Sequence, residues 1–293
     1  MADRQPLRLA IMEAERVLAE AGVASPRVDA EVLASCVLGV ERGKLMLRPL
    51  VDNDVVETLN ELVKRRAARE PLQHLMGAAA LGPVTVAVGR GVFTPRPETE
   101  LLLEWGVAAL DGIDRPLVVD LCTGTGALAL AVATLRPDAE VHAVEADPAA
   151  LTWARRNIAE HVDAGGTPVT LHHADVRWPD LLLELESHVD LVLCNPPYVP
   201  DGADLPPEVT EWDPPAAVFA GPDGLDVIRP VIAVSAGLLR YGGALAIEHD
   251  DTHGELVPAL LRRRKVLIDV QEHHDLAGRP RFATARRRAP AAS

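Results

Sequence analysis

The residues best suited to chemistry stand at the ends of apolar runs. One run closes in Asp120-Leu121-Cys122-Thr123-Gly124-Thr125-Gly126-Ala127-Leu128-Ala129, where a glycine turn lets the backbone approach a ligand just as a helix N-terminus begins. Another closes in Glu145, placed so that its carboxylate can accept hydrogen bonds from both hydroxyls of a ribose, which fits an adenosine-containing ligand. Gly124, Gly126 and Ala129 satisfy the dinucleotide pattern G-x-G-x-x-A, so NAD competes at this point. Asp120 argues against it: a carboxylate facing the turn repels a pyrophosphate and suits a positively charged amine and sulfonium, as in S-adenosylmethionine. The rival reading of Asp120 is a cap for the following helix.

A further apolar run ends in Asn195-Pro196-Pro197-Tyr198. An amide or amino-aromatic nitrogen is a poor nucleophile because its lone pair is delocalised. The side-chain carbonyl of Asn195 and the main-chain carbonyl of Pro196 can accept both of its N–H bonds, orienting it toward a methyl donor and stabilising developing positive charge. Tyr198 can stack on the planar group, and the paired prolines hold the acceptors in extended geometry beforehand.

The elements that must position these groups follow from periodicity. From Pro6 to Glu70 apolar residues recur at helical spacing, punctuated by Gly22, Ser25-Pro26 and Gly39, which predicts a small helical domain. Val84, Val86 and Val88 before Gly89-Arg90-Gly91 predict a short strand and hairpin turn connecting two domains. Pro97-Glu98-Thr99-Glu100 opens a helix. From Leu117 onward apolar strands alternate with helical stretches, which predicts a parallel sheet with helices on both faces and a ligand site beyond the carboxyl ends of the strands.

Taken together, Phe93-Thr94-Pro95-Arg96-Pro97-Glu98-Thr99-Glu100, Asp120 to Gly126, Glu145 and Asn195 to Tyr198 resemble the release-factor glutamine methyltransferases of the HemK/PrmC type. The resemblance extends over Glu70 to Gly77, Gly221-Pro222-Asp223-Gly224-Leu225, Glu248-His249, Asp275, Gly278 and Arg281. It implies a Rossmann-like class I methyltransferase of α/β class, with a mostly parallel seven-stranded sheet flanked by helices. The implied domains are an N-terminal helical substrate-docking domain over 1–75, a β-hairpin connector over 76–94 and the S-adenosylmethionine-dependent domain over 95–293. The implied reaction carries a methyl group to the side-chain amide nitrogen of the glutamine in the Gly-Gly-Gln motif of peptide chain release factors, releasing S-adenosylhomocysteine.

By position, the resemblance implies a cofactor site of Asp120, Cys122, Thr123, Gly124, Thr125, Gly126, Glu145, Asp175, Val176 and Asn195. Asn195, Pro196 and Tyr198 would be catalytic, with Pro197 joining them against substrate, and Arg96 and Glu100 would border the cofactor pocket. Cys122 stands where the commonest family pattern has glycine, so a positive φ there would carry a steric cost. Val176 replaces an aromatic found in some members, which removes stacking on adenine. Ala78-Ala79-Ala80-Leu81 lacks an aromatic often found in the connector.

Alternatives of other kinds are an adenine-N6 nucleic-acid methyltransferase, a non-catalytic cofactor-binding module and a dehydrogenase. The chain has 293 residues and a formal net charge of −14; residues 71–293 hold 18 basic and 31 acidic side chains. That balance disfavours a nucleic-acid track. Without a leader or an apolar run long enough to span a bilayer, a cytoplasmic chain away from membranes is expected, and a monomer. Cys36, Cys122 and Cys194 lack any C-x-x-C spacing, and His249 with His253 lacks the glutamate of H-E-x-x-H, so no metal is expected. The basic runs 262–265 and 286–288 read as solvated faces.

Overall fold

The computed structural model describes residues 4–289. They divide into two units: residues up to Ala78 together with Pro206–Trp212, and Ala79–Leu205 together with the residues from Asp213 onward.

In the first unit, strand β1 (Arg4–Pro6) leads into helix α1 (Leu7–Glu20), followed by α2 (Pro26–Leu38), strand β2 (Leu50–Asp52), α3 (Asn53–Ala67) and α4 (Leu72–Met76). The punctuation works as its chemistry requires. Pro26 occupies the first turn of α2, and Gly39 ends it at φ 62°, a left-handed position where a Cβ would be strained. Lys64, Arg65 and Arg66 fill the last turn of α3, opposite in sign to its carboxyl end. Leu18, Leu33 and Leu59 from the three long helices form the buried centre.

The second unit opens with a hairpin of β3 (Ala78–Leu81) and β4 (Val84–Ala87). Ala79, Leu81 and Val86 join the same core cluster as the main sheet. The hairpin thus folds with the second unit, because its inward side chains find their apolar partners there.

The main sheet uses β5 (Leu117–Leu121), β6 (Glu140–Glu145), β7 (Val169–His173), β8 (Val189–Cys194), β9 (Leu239–Glu248), β10 (Leu267–His274) and β11 (Pro280–Arg287). Their order is β10-β11-β9-β8-β5-β6-β7. All pairs are parallel except those of β11, which runs antiparallel to both neighbours. This is the mostly parallel seven-stranded sheet expected. All six residues of β8 are buried, as a strand covered on both faces demands.

The period-2 alternation sorts the strands between layers. Val118, Leu191 and Leu193 pack on the side of α5 (Thr99–Ala109), α6 (Ala127–Leu135) and α7 (Pro148–Asp163). Val119, Leu121, Val192 and Cys194 face α8 (Ile228–Leu238) and α9 (Leu256–Arg263). Register aligns Leu121 with Val144 and Cys194, and Cys194 with Ile247. The chemically interesting strand ends therefore emerge side by side. Among the described residues no helix is long and apolar enough to cross a membrane.

Candidate active site

The glycine loop is braced from below and beside. Asp120, 2% exposed, shares the face of Val118 and points toward α6, where its Oδ2 accepts the Thr123 hydroxyl and, at 3.2 Å, the Ala129 N–H. Ala129 is the third residue of α6, so Asp120 caps that helix from the preceding strand. Desolvation pushes its carboxyl up to about 7 against the pull of these donors. The capping function expected as the rival reading of Asp120 is thus present in the structure. The loop also returns to the sheet through the Thr123 N–H, which donates to Val144 O at 3.0 Å.

Gly124 and Gly126 have φ of 58° and 83°, and Cys122 has φ 61°. The steric cost anticipated at Cys122 is present. A Cβ at Gly124 would meet no atom within 4 Å, so open space lies over the turn. Glu145 faces this loop from the end of β6. Its Oε2 accepts the Gly124 N–H and its Oε1 the Asp147 N–H, each at 2.8 Å. Burial raises its pKa while these N–H groups oppose the rise. Each oxygen retains a lone pair, so the carboxylate can still receive the two hydroxyls of a ribose.

Asp175 and Val176 follow β7. Val176 is buried in the core beneath α8, and Asp175 accepts the Arg177 N–H at 2.9 Å and the Arg177 guanidinium. That pairing holds the Asp175 carboxyl below its ordinary value.

Asn195, Pro196, Pro197 and Tyr198 leave the end of β8. Pro196 is buried and the other three are half-buried. Asn195 Nδ2 donates to Thr99 Oγ1 at 3.0 Å, Thr99 Oγ1 donates to Glu248 Oε2 at 2.8 Å, and the Tyr198 hydroxyl donates to Glu248 Oε1 at 3.2 Å. The motif is clamped behind by the Gly221–Leu225 turn: the Asp201 N–H donates to Gly221 O, and a Cβ at Gly224 would lie 2.3 Å from Tyr198 O.

Arg96 and Glu100 behave differently from each other. The Arg96 guanidinium lies 4.9 Å from the centre of the Phe93 ring and donates to Asp213 at 2.6 Å. Burial raises the Asp213 carboxyl, against the lowering influence of Arg96. Glu100 is exposed and accepts the Gly82 N–H of the β3–β4 turn at 3.2 Å. One residue along a helix is a rotation of about 100°, so Thr99 turns inward and Glu100 turns out.

Residues 10–77 match the family model described as PrmC N-terminal domain, and residues 90–210 match the methyltransferase small domain. A release factor glutamine methyltransferase of Mycolicibacterium smegmatis is 54% identical over 96% of this chain and 98% of its own. One of Mycobacterium tuberculosis is 48% identical over 96% of this chain and 91% of its own. The chain belongs to the release factor glutamine methyltransferase family.

The fold agrees: a 16S rRNA N2 G1207 methyltransferase of T. Thermophilus, solved with AdoMet and guanosine, superposes with a TM-score of 0.51 at 23% identity, over 72% of this chain and half of the other. By its family, this methyltransferase is an S-adenosylmethionine-dependent enzyme, and the dehydrogenase, adenine-N6 and non-catalytic alternatives give way to relatives named for glutamine methylation.

Sequence reasoning passed over Asn157, which is 3% exposed on α7. Its Nδ2 donates to Thr125 O at 2.9 Å and to Ala87 O at 3.1 Å, and its Oδ1 accepts the Ala87 N–H. It thereby ties the glycine loop of this methyltransferase to β4. The available signal was a polar residue on the face of α7 that carries Ala150 and Ala154. His249 contacts Glu272 Oε2 and Asp250 O, and His273 stacks on Phe282.

Proposed function

We propose that this protein methylates the side-chain amide nitrogen of the glutamine in the Gly-Gly-Gln motif of peptide chain release factors. The observation that carries the reading is the arrangement at Asn195: with Nδ2 engaged by Thr99, its Oδ1 and the Pro196 carbonyl are the groups left to accept the two N–H bonds of a primary amide. The printed name of the relatives, matched over nearly the whole chain, supports the substrate class.

S-adenosylmethionine would supply an electrophilic methyl on a sulfonium: the amide nitrogen would form the new N–C bond as the S–CH3 bond breaks, S-adenosylhomocysteine would leave, and the nitrogen, once cationic, would lose one of its protons to solvent. Glu145 would hold the ribose, and Thr123 to Gly126 the methionine part. The open space above Gly124 and the free lone pairs of Glu145 fit that ligand. Asp120 acts through the loop that it caps, with Cys122 within that loop, and Asp175 with Val176 would border the adenine. Arg96 anchors Asp213. Asn195 and Pro196 hold the amide plane and accept more strongly as the nitrogen becomes cationic, while Tyr198 and Pro197 wall the pocket and exclude water. The helical N-terminal unit would dock the release factor, with the enzyme working as a cytoplasmic monomer. The acidic balance of the chain supports a protein substrate without direct nucleic-acid contact.

The test is mass spectrometry of a release factor incubated with the protein and S-adenosylmethionine. One added methyl on the Gly-Gly-Gln peptide, lost with Asn195→Ala while S-adenosylmethionine affinity holds, is the expected result. A methyl elsewhere, or none despite bound cofactor, refutes the assignment. Turnover unchanged in Asn195→Ala with only weaker substrate binding removes Asn195 from the transition-state role.

A further inference from the structure

Thr99, the first residue of α5, and Glu248, the last of β9, are 4% and 3% exposed. They join the two ends of the Asn195–Tyr198 motif through one chain of hydrogen bonds, from Asn195 Nδ2 to Thr99 Oγ1, from Thr99 Oγ1 to Glu248 Oε2, and from the Tyr198 hydroxyl to Glu248 Oε1. The direction of that chain is forced. A threonine hydroxyl owns one proton, and an ionised carboxylate owns none. The Thr99 proton must therefore go to Glu248, which leaves only a lone pair for Asn195. An amide can meet that lone pair with its NH2 end alone; turned over, it would set Oδ1 against another oxygen with no proton between them.

We infer that Thr99 and Glu248 are positioning residues for methyl transfer: the Glu248 carboxylate fixes which end of the Asn195 amide faces Thr99, so that Oδ1 is presented to the substrate, and the same carboxylate pins the Tyr198 ring. The inference rests on the reading of Asn195 as the acceptor of the substrate amide. Its consequence is that the acceptor has its orientation only while Glu248 is ionised. A protonated Glu248 can itself donate to Thr99 Oγ1, releasing the Thr99 proton toward Asn195 and permitting the inverted amide. Burial lifts the Glu248 carboxyl to about 7, against the donors Thr99 and Tyr198; Glu98 also favours the proton, and Arg281 opposes it. The relay therefore loosens within the range in which the enzyme can be assayed.

The test measures single-turnover methylation of a release factor at saturating S-adenosylmethionine across pH for Thr99→Val, Thr99→Ser, Glu248→Gln and Asn195→Ala, with cofactor affinity and melting temperature recorded for each. Thr99→Val and Glu248→Gln are expected to lose roughly 10- to 100-fold in rate, the worth of a hydrogen bond to a charged group, with cofactor affinity within about threefold of wild type. Thr99→Ser, which keeps the hydroxyl, restores most of the rate. Wild type loses rate as pH falls through about 7, and Glu248→Gln lacks that limb. If Thr99→Val does not fold, the profile of Glu248→Gln carries the test alone, and an unchanged acid limb overturns the relay. Wild-type rates in both variants beside an inactive Asn195→Ala also overturn it, leaving the acceptor reading intact. An active Asn195→Ala overturns that reading instead.

Discussion

Cys122 holds φ at 61° in a loop whose later glycines, Gly124 and Gly126, share the left-handed region. For a residue with a Cβ that region costs about 1–2 kcal/mol, and the half-buried thiol recovers part of it by packing beneath the loop. Two substitutions separate the effects. Cys122→Ala removes the thiol and keeps the strain, whereas Cys122→Gly removes both. The glycine variant is expected to exceed the alanine variant by about 1 kcal/mol in chemical denaturation; equal stabilities would mean that the backbone relaxes at no cost. That Cys122 departs from glycine was legible in the sequence through the family resemblance, in whose commonest pattern a glycine stands at this position. The capping role of Asp120 was not, since a carboxylate at a strand end serves a ligand or a helix equally well until the direction of its side chain is known.

At the scale of elements, the segments on either side of the motif are fixed by contacts far away in sequence. Gly224 has φ 69° and backs directly onto Tyr198 O. Gly224→Ala is expected to cost about 2 kcal/mol or more and to lower turnover by displacing Tyr198. Gly202→Ala, where φ is 78° and a Cβ would meet no atom within 4 Å, serves as the control: it carries the backbone strain alone, and urea melts with rate measurements on both variants separate strain from collision. Downstream, the short helix Pro207–Thr210 belongs to the N-terminal unit. Glu208 accepts Arg66 Nη2 at 2.9 Å and Arg69 Nη2 at 2.6 Å, and Arg66 also bonds the buried Asp29 at 2.7 Å. Removing Glu208 leaves a guanidinium buried with part of its charge uncompensated. Glu208→Ala is expected to destabilise that unit by about 2 kcal/mol and to expose segment 199–213 to protease; limited proteolysis checks the second point. Nothing in the local sequence around Glu208 names Arg66 as its partner, because the pairing depends on where the chain returns.

For the whole molecule, the Glu248 carboxyl should move rate and stability in opposite directions as pH changes. The Glu248 carboxyl stands at about 7 against an ordinary 4.5, so between these values the folded chain holds a proton that the unfolded chain has lost. Its contribution to stability is complete at acid pH and disappears as pH rises through about 7. Asp120, also lifted by burial to about 7, works in the same direction, while burial lowers the pKa of His172, His253 and His273, which work the other way below their unfolded value. A comparison with Glu248→Gln cancels them: the variant is expected to gain stability relative to wild type as pH rises from about 5 to 8, measured by denaturation at each pH. A constant difference would place Glu248 at an ordinary pKa and remove the acid limb from the relay.

The amino-acid sequence by itself determined the strands of the main sheet, the long helices, the loop chemistry and the family, because period, glycine placement and strand-end residues are local quantities written in neighbouring positions; the short pair β1–β2, held by a long-range pairing inside a helical stretch, it did not. Asn195, Glu145 and the glycine loop could be read as a site on those grounds. What only the tertiary structure decided was how their hydrogen bonds are shared: the commitment of Asp120 to α6, the outward turn of Glu100, the tether at Asn157 and the chain from Asn195 through Thr99 to Glu248. A side chain's proton inventory is fixed by its type, but its partners are fixed by which strand ends lie side by side, and that is set by the sheet order rather than by any stretch of sequence.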